Sequence, residues 1–194
     1  MEPIVLTTDR LRLRPFTAAD TDAVHAACQD PDIQRWTQVP SPYTRQDAAL
    51  FLTRLVPDGW RDDTEYTFAV EPLDGGPLIA AAGLHARGLG IREIGFWMVK
   101  EHRGNGYMTE AVDALARWAF GPLGVHRLVW RAEVGNLPSR AVAERAGFVI
   151  EAVERAGLLN KGTVRDSWLG ALLPSDLGLP SAAPYLPSRA GGNG

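Results

Sequence analysis

The stretch EHRGNGYMT, Glu101–Thr109, places two glycines one residue apart, after the apolar run Ile94–Val99 and before a helical pattern over Ala111–Phe120. At a helix N-terminus the first backbone N–H groups have no intrahelical partner, and the helix dipole adds partial positive charge, so an anion is stabilised there. Glycines at 104 and 106 remove the side chains that would block its approach. The spacing therefore predicts a phosphate cradle built from the amides of Arg103, Gly104, Asn105, Gly106, Tyr107, Met108 and Thr109, with the Arg103 side chain adding a charged contact. It serves equally well as a plain strand-to-helix turn in which glycine supplies positive φ. Two known phosphate loops are excluded. Tyr107 and Met108 stand where a P-loop needs Lys and Ser/Thr, and Thr109 stands where a dinucleotide fingerprint needs its third glycine. What remains on the phosphate side is a metal-independent site for a pyrophosphate that is held and not cleaved.

Around that turn lies a chain of 194 residues, 45% hydrophobic, enough for one globular domain with a real core. A net charge of -3 gives no basic footprint for nucleic acid, and no apolar stretch reaches the ~20 residues of a membrane span. The start MEPIVLTTDR lacks the basic head and apolar core of a signal peptide, so the expected location is the cytoplasm. A lone cysteine, Cys28, excludes an intrachain disulfide and a cysteine-based metal cluster. The histidines His25, His85, His102 and His126 show no metal-ligand spacing, so no metal is expected. Of the 20 basic residues 18 are Arg, which reads as coding bias and carries no chemistry.

The segment TDRLRLRPFT alternates apolar and basic residues with the period of a half-buried strand. Thr17 with Asp20 begins a first helix that ends at Asp30-Pro31, and Thr44 with Asp47 begins a second that stops at Pro57–Gly59. YTFAVEP and PLIAAAGLHA flank the turn cluster Leu73–Gly76 as a hairpin, and EIGFWMV is a further strand. After the glycine turn come a buried helix over 108–120, the strand HRLVWRAEV, and a short helix from Asn136 to Ala146 closed by Gly147. Two strands follow, near 148–155 and 163–172. The predicted order is βααβββαβαββ, an α/β (α+β) domain with a mixed sheet over 1–173. Residues 174–194 are rich in Pro, Gly, Ser and Ala, and form either a flexible tail or a segment lying against the body.

EIGFWMVKEHRGNGYMTEAVDALARWAF, then VHRLVWRAEVGNLPSRAVAERAGF, together with the opening LTTDRLRLRPFTAAD, resembles the GNAT superfamily of acyl-CoA-dependent N-acyltransferases, in its RimJ/RimL-type branch. The resemblance spans about residues 5 to 172. It implies a mixed, mostly antiparallel sheet flanked by helices, with splayed strands forming an acyl-CoA cleft and the glycine turn holding the pyrophosphate of acetyl-CoA. One departure is Glu101, where the superfamily pattern has Gln or Arg.

Acyl transfer from a thioester to an amine needs a neutral amine, a polarised carbonyl and a protonated leaving thiolate. The resemblance places Glu93 toward the acceptor as the base, Asn136 on the pantetheine arm, and Ser139 near the sulfur as proton donor. It also places the backbone of Trp97, Met98 and Val99 beside the pantetheine and the thioester carbonyl. The residues alone leave blander roles open: Glu93 as a solvated ion pair, and Asn136 and Ser139 as a helix cap and first turn. Trp36, Tyr43, Trp60 and Tyr66 fall in the region that walls the acceptor site in this family, as substrate contacts or as core. Cys28 is not marked as a nucleophile, which implies direct transfer in a ternary complex. The partners implied are an acyl-CoA and an amine: a protein N-terminal α-amine or a small molecule, with the acidic balance leaning toward a cationic acceptor. Succinyl transfer, with Arg87, Arg92 or Arg103 on the extra carboxylate, non-catalytic acyl-CoA binding, and a homodimer stay open.

Overall fold

A computed structural model describes residues 1–187. Its centre is an eight-stranded sheet in the order β1-β2-β3-β4-β5-β6-β8-β7. The strands are β1 Leu6–Thr7, β2 Leu11–Pro15, β3 Glu65–Pro72, β4 Ala80–Gly88, β5 Ile91–Met98, β6 Arg127–Glu133, β7 Val149–Asn160 and β8 Thr163–Leu172. Every neighbouring pair is antiparallel except β5 with β6, which is parallel. The six helices are α1 Thr21–Ala27, α2 Pro31–Trp36, α3 Arg45–Leu50, α4 Val56–Arg61, α5 Tyr107–Phe120 and α6 Leu137–Arg145. This is the mixed, mostly antiparallel sheet flanked by helices that the sequence implies.

The period-2 pattern of β2 is realised: Leu11 and Leu13 are fully buried while Arg12 between them is exposed. Pairing sets Leu13 opposite Val70, and Val70 opposite Ala80, on one face of the sheet. That face carries α5, whose Trp118 meets Tyr66 and Phe68 edge-on at 5.4 and 5.5 Å between centroids. On α5, Met108, Ala111, Val112, Leu115, Ala116 and Ala119 are all buried, at the spacing that predicted the helix. The opposite face meets the start of α1 through the Arg14–Asp20 ion pair and α2 through Arg35–Glu133.

The helices around residues 17–61 depart from expectation. Asp30-Pro31 does not only end the first helix; Asp30 accepts from the Asp32 N–H at 2.8 Å and caps a new one, α2, with Pro31 in its first turn. Pro57 does not stop the second helix either. Phe51–Leu55 widens into a π-helical turn in which the Val56 N–H reaches the Phe51 carbonyl, and α4 then continues through Pro57. A widened turn makes room for a ring that would otherwise strike the carbonyl four residues earlier. The two-residue β1 carries too short a pattern to be read, and β7 runs five residues past its expected end, to Asn160.

The feature that positions the site lies between β5 and β6. Their register runs from Ile91↔Arg127 to Ile94↔Trp130 and stops there, although β5 continues to Met98 and β6 to Glu133. β6 stays paired to β8 up to Glu133↔Ser167, while the chain after β5 turns away through a 3₁₀ turn at Lys100–His102. A wedge opens between the strands, as the splay expected from the sequence requires. The N-termini of α5 and α6 both follow the open ends of these strands. Past β8, Pro174–Leu177 forms a 3₁₀ turn, and Leu177 and Leu179 pack against the core. Residues 188–194 of the expected tail lie outside the described residues.

Candidate functional site

Gly104 and Gly106 adopt φ of +81° and +77°, and α5 starts at Tyr107 with no side chain capping it. The Tyr107, Met108 and Thr109 amides are thus unpartnered first-turn donors, whereas the Glu110 N–H already bonds the Gly106 carbonyl. A Cβ at Gly104 would meet nothing within 4 Å, and one at Gly106 would meet only Arg10 Nη2 at 3.5 Å. The Asn105 side chain folds back, its Nδ2 donating to the His102 and Arg103 carbonyls, and the Met108 side chain is buried. The turn therefore offers backbone donors to open space, which fits a pyrophosphate. Glu101 is exposed on the preceding 3₁₀ turn.

Arg103 behaves differently from the sequence expectation. Its Nη2 bonds Asp30 at 2.6 Å, its Nη1 bonds Asp32 at 3.2 Å, and its Nε bonds the Met98 carbonyl at 3.1 Å. All three nitrogens are engaged, so the side chain ties the glycine turn and the end of β5 to α2 and is not a free phosphate ligand. The cation that does stand at the turn is Arg10, which alternation along the strand had marked only as an outward residue. Arg10 Nη1 donates to the Asn105 carbonyl at 3.1 Å, its guanidinium lies 4.7 Å from the Tyr107 ring centroid, and Nε pairs with Glu110 at 2.7 Å. A depression of about 520 Å³ beside it is lined by Gly106, Thr109, Glu110 and, from the end of α6, Arg145.

Along the wedge, Trp97 and Met98 are half-buried at the end of β5. Val99 is a correction: its N–H bonds the Ile79 carbonyl at 2.9 Å and is not available to a ligand. Across the wedge, Asn136 caps α6, its Oδ1 accepting from the Ser139 N–H at 3.3 Å. No hydrogen bond among the described residues involves its Nδ2. Ser139 Oγ accepts from the Trp130 Nε1–H at 3.0 Å, which directs its own proton elsewhere. Both residues thus hold structural places, Asn136 as the cap of α6 and Ser139 as the acceptor of the Trp130 indole N–H.

Glu93 lies on the face of β5 opposite Ile94, the side from which α2 approaches. Arg87 Nε and Arg131 Nη1 both bond its Oε2, at 2.9 and 2.7 Å, while Oε1 takes part in no bond among the described residues. It is an ion-pair node with one oxygen free. Of Trp36, Tyr43, Trp60 and Tyr66, Trp36 alone is partly open; the Gly135 backbone before Asn136 lies beside it, a Cβ there falling 3.8 Å from the ring. Tyr43, Trp60 and Tyr66 are core: Trp60 is 2% exposed and donates its Nε1–H to the Thr67 carbonyl. Of the arginines considered for a succinyl carboxylate, Arg87 is paired with Glu93, and Arg92 lies over the Tyr66 ring with Nη2 on the Asp63 carbonyl and a buried Nη1 that has no partner among the described residues. Cys28 is 1% exposed at the end of α1, where burial pushes its thiol up to about 12. Among the described residues no group of His, Cys, Asp and Glu could hold a metal ion, and no helix is long and apolar enough to cross a membrane.

Comparison with known proteins shows the family and the fold. The family model described as acetyltransferase (GNAT) domain matches residues 10–149. The uncharacterised N-acetyltransferase YoaA of Bacillus subtilis is 26% identical over 165 residues, covering 84% of this chain and 93% of that protein. The ribosomal-protein-serine acetyltransferase of Escherichia coli is 35% identical over 69 residues, 35% of this chain and 38% of that protein. The structure of Mycobacterium smegmatis RimJ in complex with CoA-disulfide has a TM-score of 0.81 over 94% of each chain, at 21% identity.

Proposed function

Because the chain belongs to the GNAT acetyltransferase family and is an acyl-CoA-dependent N-acetyltransferase, we propose that it acts by direct transfer within the β5–β6 wedge, with residues in the following roles. Acetyl-CoA supplies the thioester that is cleaved. The amides of Gly104 to Thr109 hold its pyrophosphate, Arg10 adds positive charge beside them, and Asn136 Nδ2 donates to the pantetheine arm. The backbone of Trp97 and Met98 lines the thioester end. Ser139 Oγ–H, oriented by Trp130, gives its proton to the departing sulfur, and Glu93 Oε1 takes one from the amine, directly or through water. Trp36 and α2 wall the amine side. An α-amine with a pKa of about 7.7–8.0 is already partly neutral near pH 7, so it needs only modest help from a carboxylate base. The buried Cys28 supports transfer without an acyl-enzyme. In this account residues 1–173 form the catalytic unit, working in the cytoplasm on an amine acceptor.

The observation that carries the assignment is the uncapped N-terminus of α5 behind two glycines of positive φ, at the open end of the splayed strands. The test is calorimetric titration with acetyl-CoA and succinyl-CoA, then free-thiol release across N-terminal peptides, aminoglycosides and polyamines. Acetyl-CoA binding with amine-dependent thiol release supports it; absence of binding refutes it.

A further inference from the structure

A second depression, of about 340 Å³, lies between α2 and the tip of the β7–β8 hairpin, lined by Gln34, Arg35, Ser41, Asn160, Lys161 and Arg165 among others. Asn160 is 6% exposed, and its Nδ2 donates to the Arg35 carbonyl at 3.2 Å. That bond fixes the amide orientation, since exchanging its two ends would set oxygen against oxygen. Its buried Oδ1 then has no partner within the protein. A buried acceptor left unpaired costs about 1–3 kcal/mol, so a donor from outside is favoured there.

Charge around the depression is one-sided. Arg35 bonds both oxygens of Glu133, Arg165 reaches the same carboxylate only at 3.8 Å, and Lys161 Nζ rests on the Gln34 and Thr37 carbonyls. Two arginines thus share one carboxylate, and the third cation rests on backbone carbonyls alone. Burial foremost, and then the nearby Arg35, lowers the Lys161 pKa. The depression also adjoins the wedge: Arg35 stacks 4.2 Å over the Trp36 ring, and that ring borders Gly135, next to Asn136.

We propose that this pocket recognises the amine acceptor, and that the acceptor is the N-terminal segment of a polypeptide with Asp or Glu close to its terminus. The acidic side chain pairs with Arg165 and Lys161, and a backbone N–H of the segment satisfies Asn160 Oδ1. The inference rests on the acetyltransferase reading above and reverses the cationic acceptor that net charge alone suggested.

The test is calorimetric titration of two matched peptides, Ser-Glu-Glu and Ser-Gln-Gln followed by the same neutral residues, into the protein saturated with coenzyme A. One charge-assisted contact predicts about tenfold tighter binding of the Glu peptide. Arg165→Gln is expected to reduce that preference below about threefold, by the same contact, while leaving coenzyme A affinity unchanged. Equal affinities, no binding of either peptide, or a preference that survives Arg165→Gln overturns the proposal. Affinity is read without turnover, so a tightly bound Glu peptide that is never acetylated counts against the proposed catalysis and not against the pocket.

Discussion

Arg103→Gln separates the structural role of this side chain from the phosphate contact that its place in the glycine turn suggests. The substitution removes a 2.6 Å charge-assisted bond to Asp30, whose side chain is 13% exposed, and a weaker one to Asp32, which is 62% exposed. The first is worth about 1.5–3 kcal/mol and the second about 0–1 kcal/mol. The Met98 carbonyl also loses its donor, at the wedge, where water can replace it. A net loss of about 2–3 kcal/mol corresponds to a fall in Tm of roughly 4–12 °C for a chain of this size. Thermal unfolding checks that figure, and acetyl-CoA titration of the folded variant reads the site. The expected affinity change is under about threefold, because no phosphate contact is lost, whereas KM for the amine rises as α2 loosens. An unchanged Tm with a loss of CoA affinity of about tenfold or more would refute the assignment and restore Arg103 to the phosphate.

Glu93→Gln is expected to lower kcat about tenfold with CoA affinity nearly unchanged, measured by steady-state thiol release; equal loss of both would remove Glu93 as the base. Gly106→Val forces a branched residue into positive φ above the amides and is expected to weaken CoA binding by about tenfold or more in a protein that still shows a cooperative unfolding transition. Burial pulls the Asp20 carboxyl upward, but bonds from Arg14 and Thr17 outweigh it and hold it below the usual carboxylate range. A depressed carboxylate contributes stability above its unfolded pKa of about 3.9 and loses it as pH falls through the folded value. Asp20→Asn should therefore be less stable than wild type at neutral pH, with the gap narrowing below about pH 4 in urea unfolding.

Local patterns carried the fold where one periodicity acted alone. The buried stripe of α5 and the alternation of β2 needed no tertiary information, and both stand as read. Proline was ambiguous because its effect depends on position: Pro31 starts a helix and Pro57 passes through one, and only the neighbouring cap or π turn decides which. The glycine pair was legible since positive φ and missing side chains are properties of the residue itself. Partners distant in sequence were not. Asp30 and Asp32 lie some seventy residues before Arg103, and Arg10 lies nearly a hundred before Tyr107. No spacing rule brings such pairs together. Trp60 and Tyr43 show the same limit from the other side, since an aromatic residue in the right segment becomes core or wall according to packing alone.

The central claim is that the backbone amides of the glycine turn hold the pyrophosphate of acetyl-CoA. Amide NMR of ¹⁵N-labelled protein, titrated in parallel with coenzyme A and with pantetheine, addresses those N–H groups one by one. The account predicts that the Gly104, Gly106, Met108 and Thr109 resonances move downfield with coenzyme A at the calorimetric affinity and stay in place with pantetheine, which lacks the pyrophosphate. Coenzyme A binding that leaves these four resonances unmoved would contradict it.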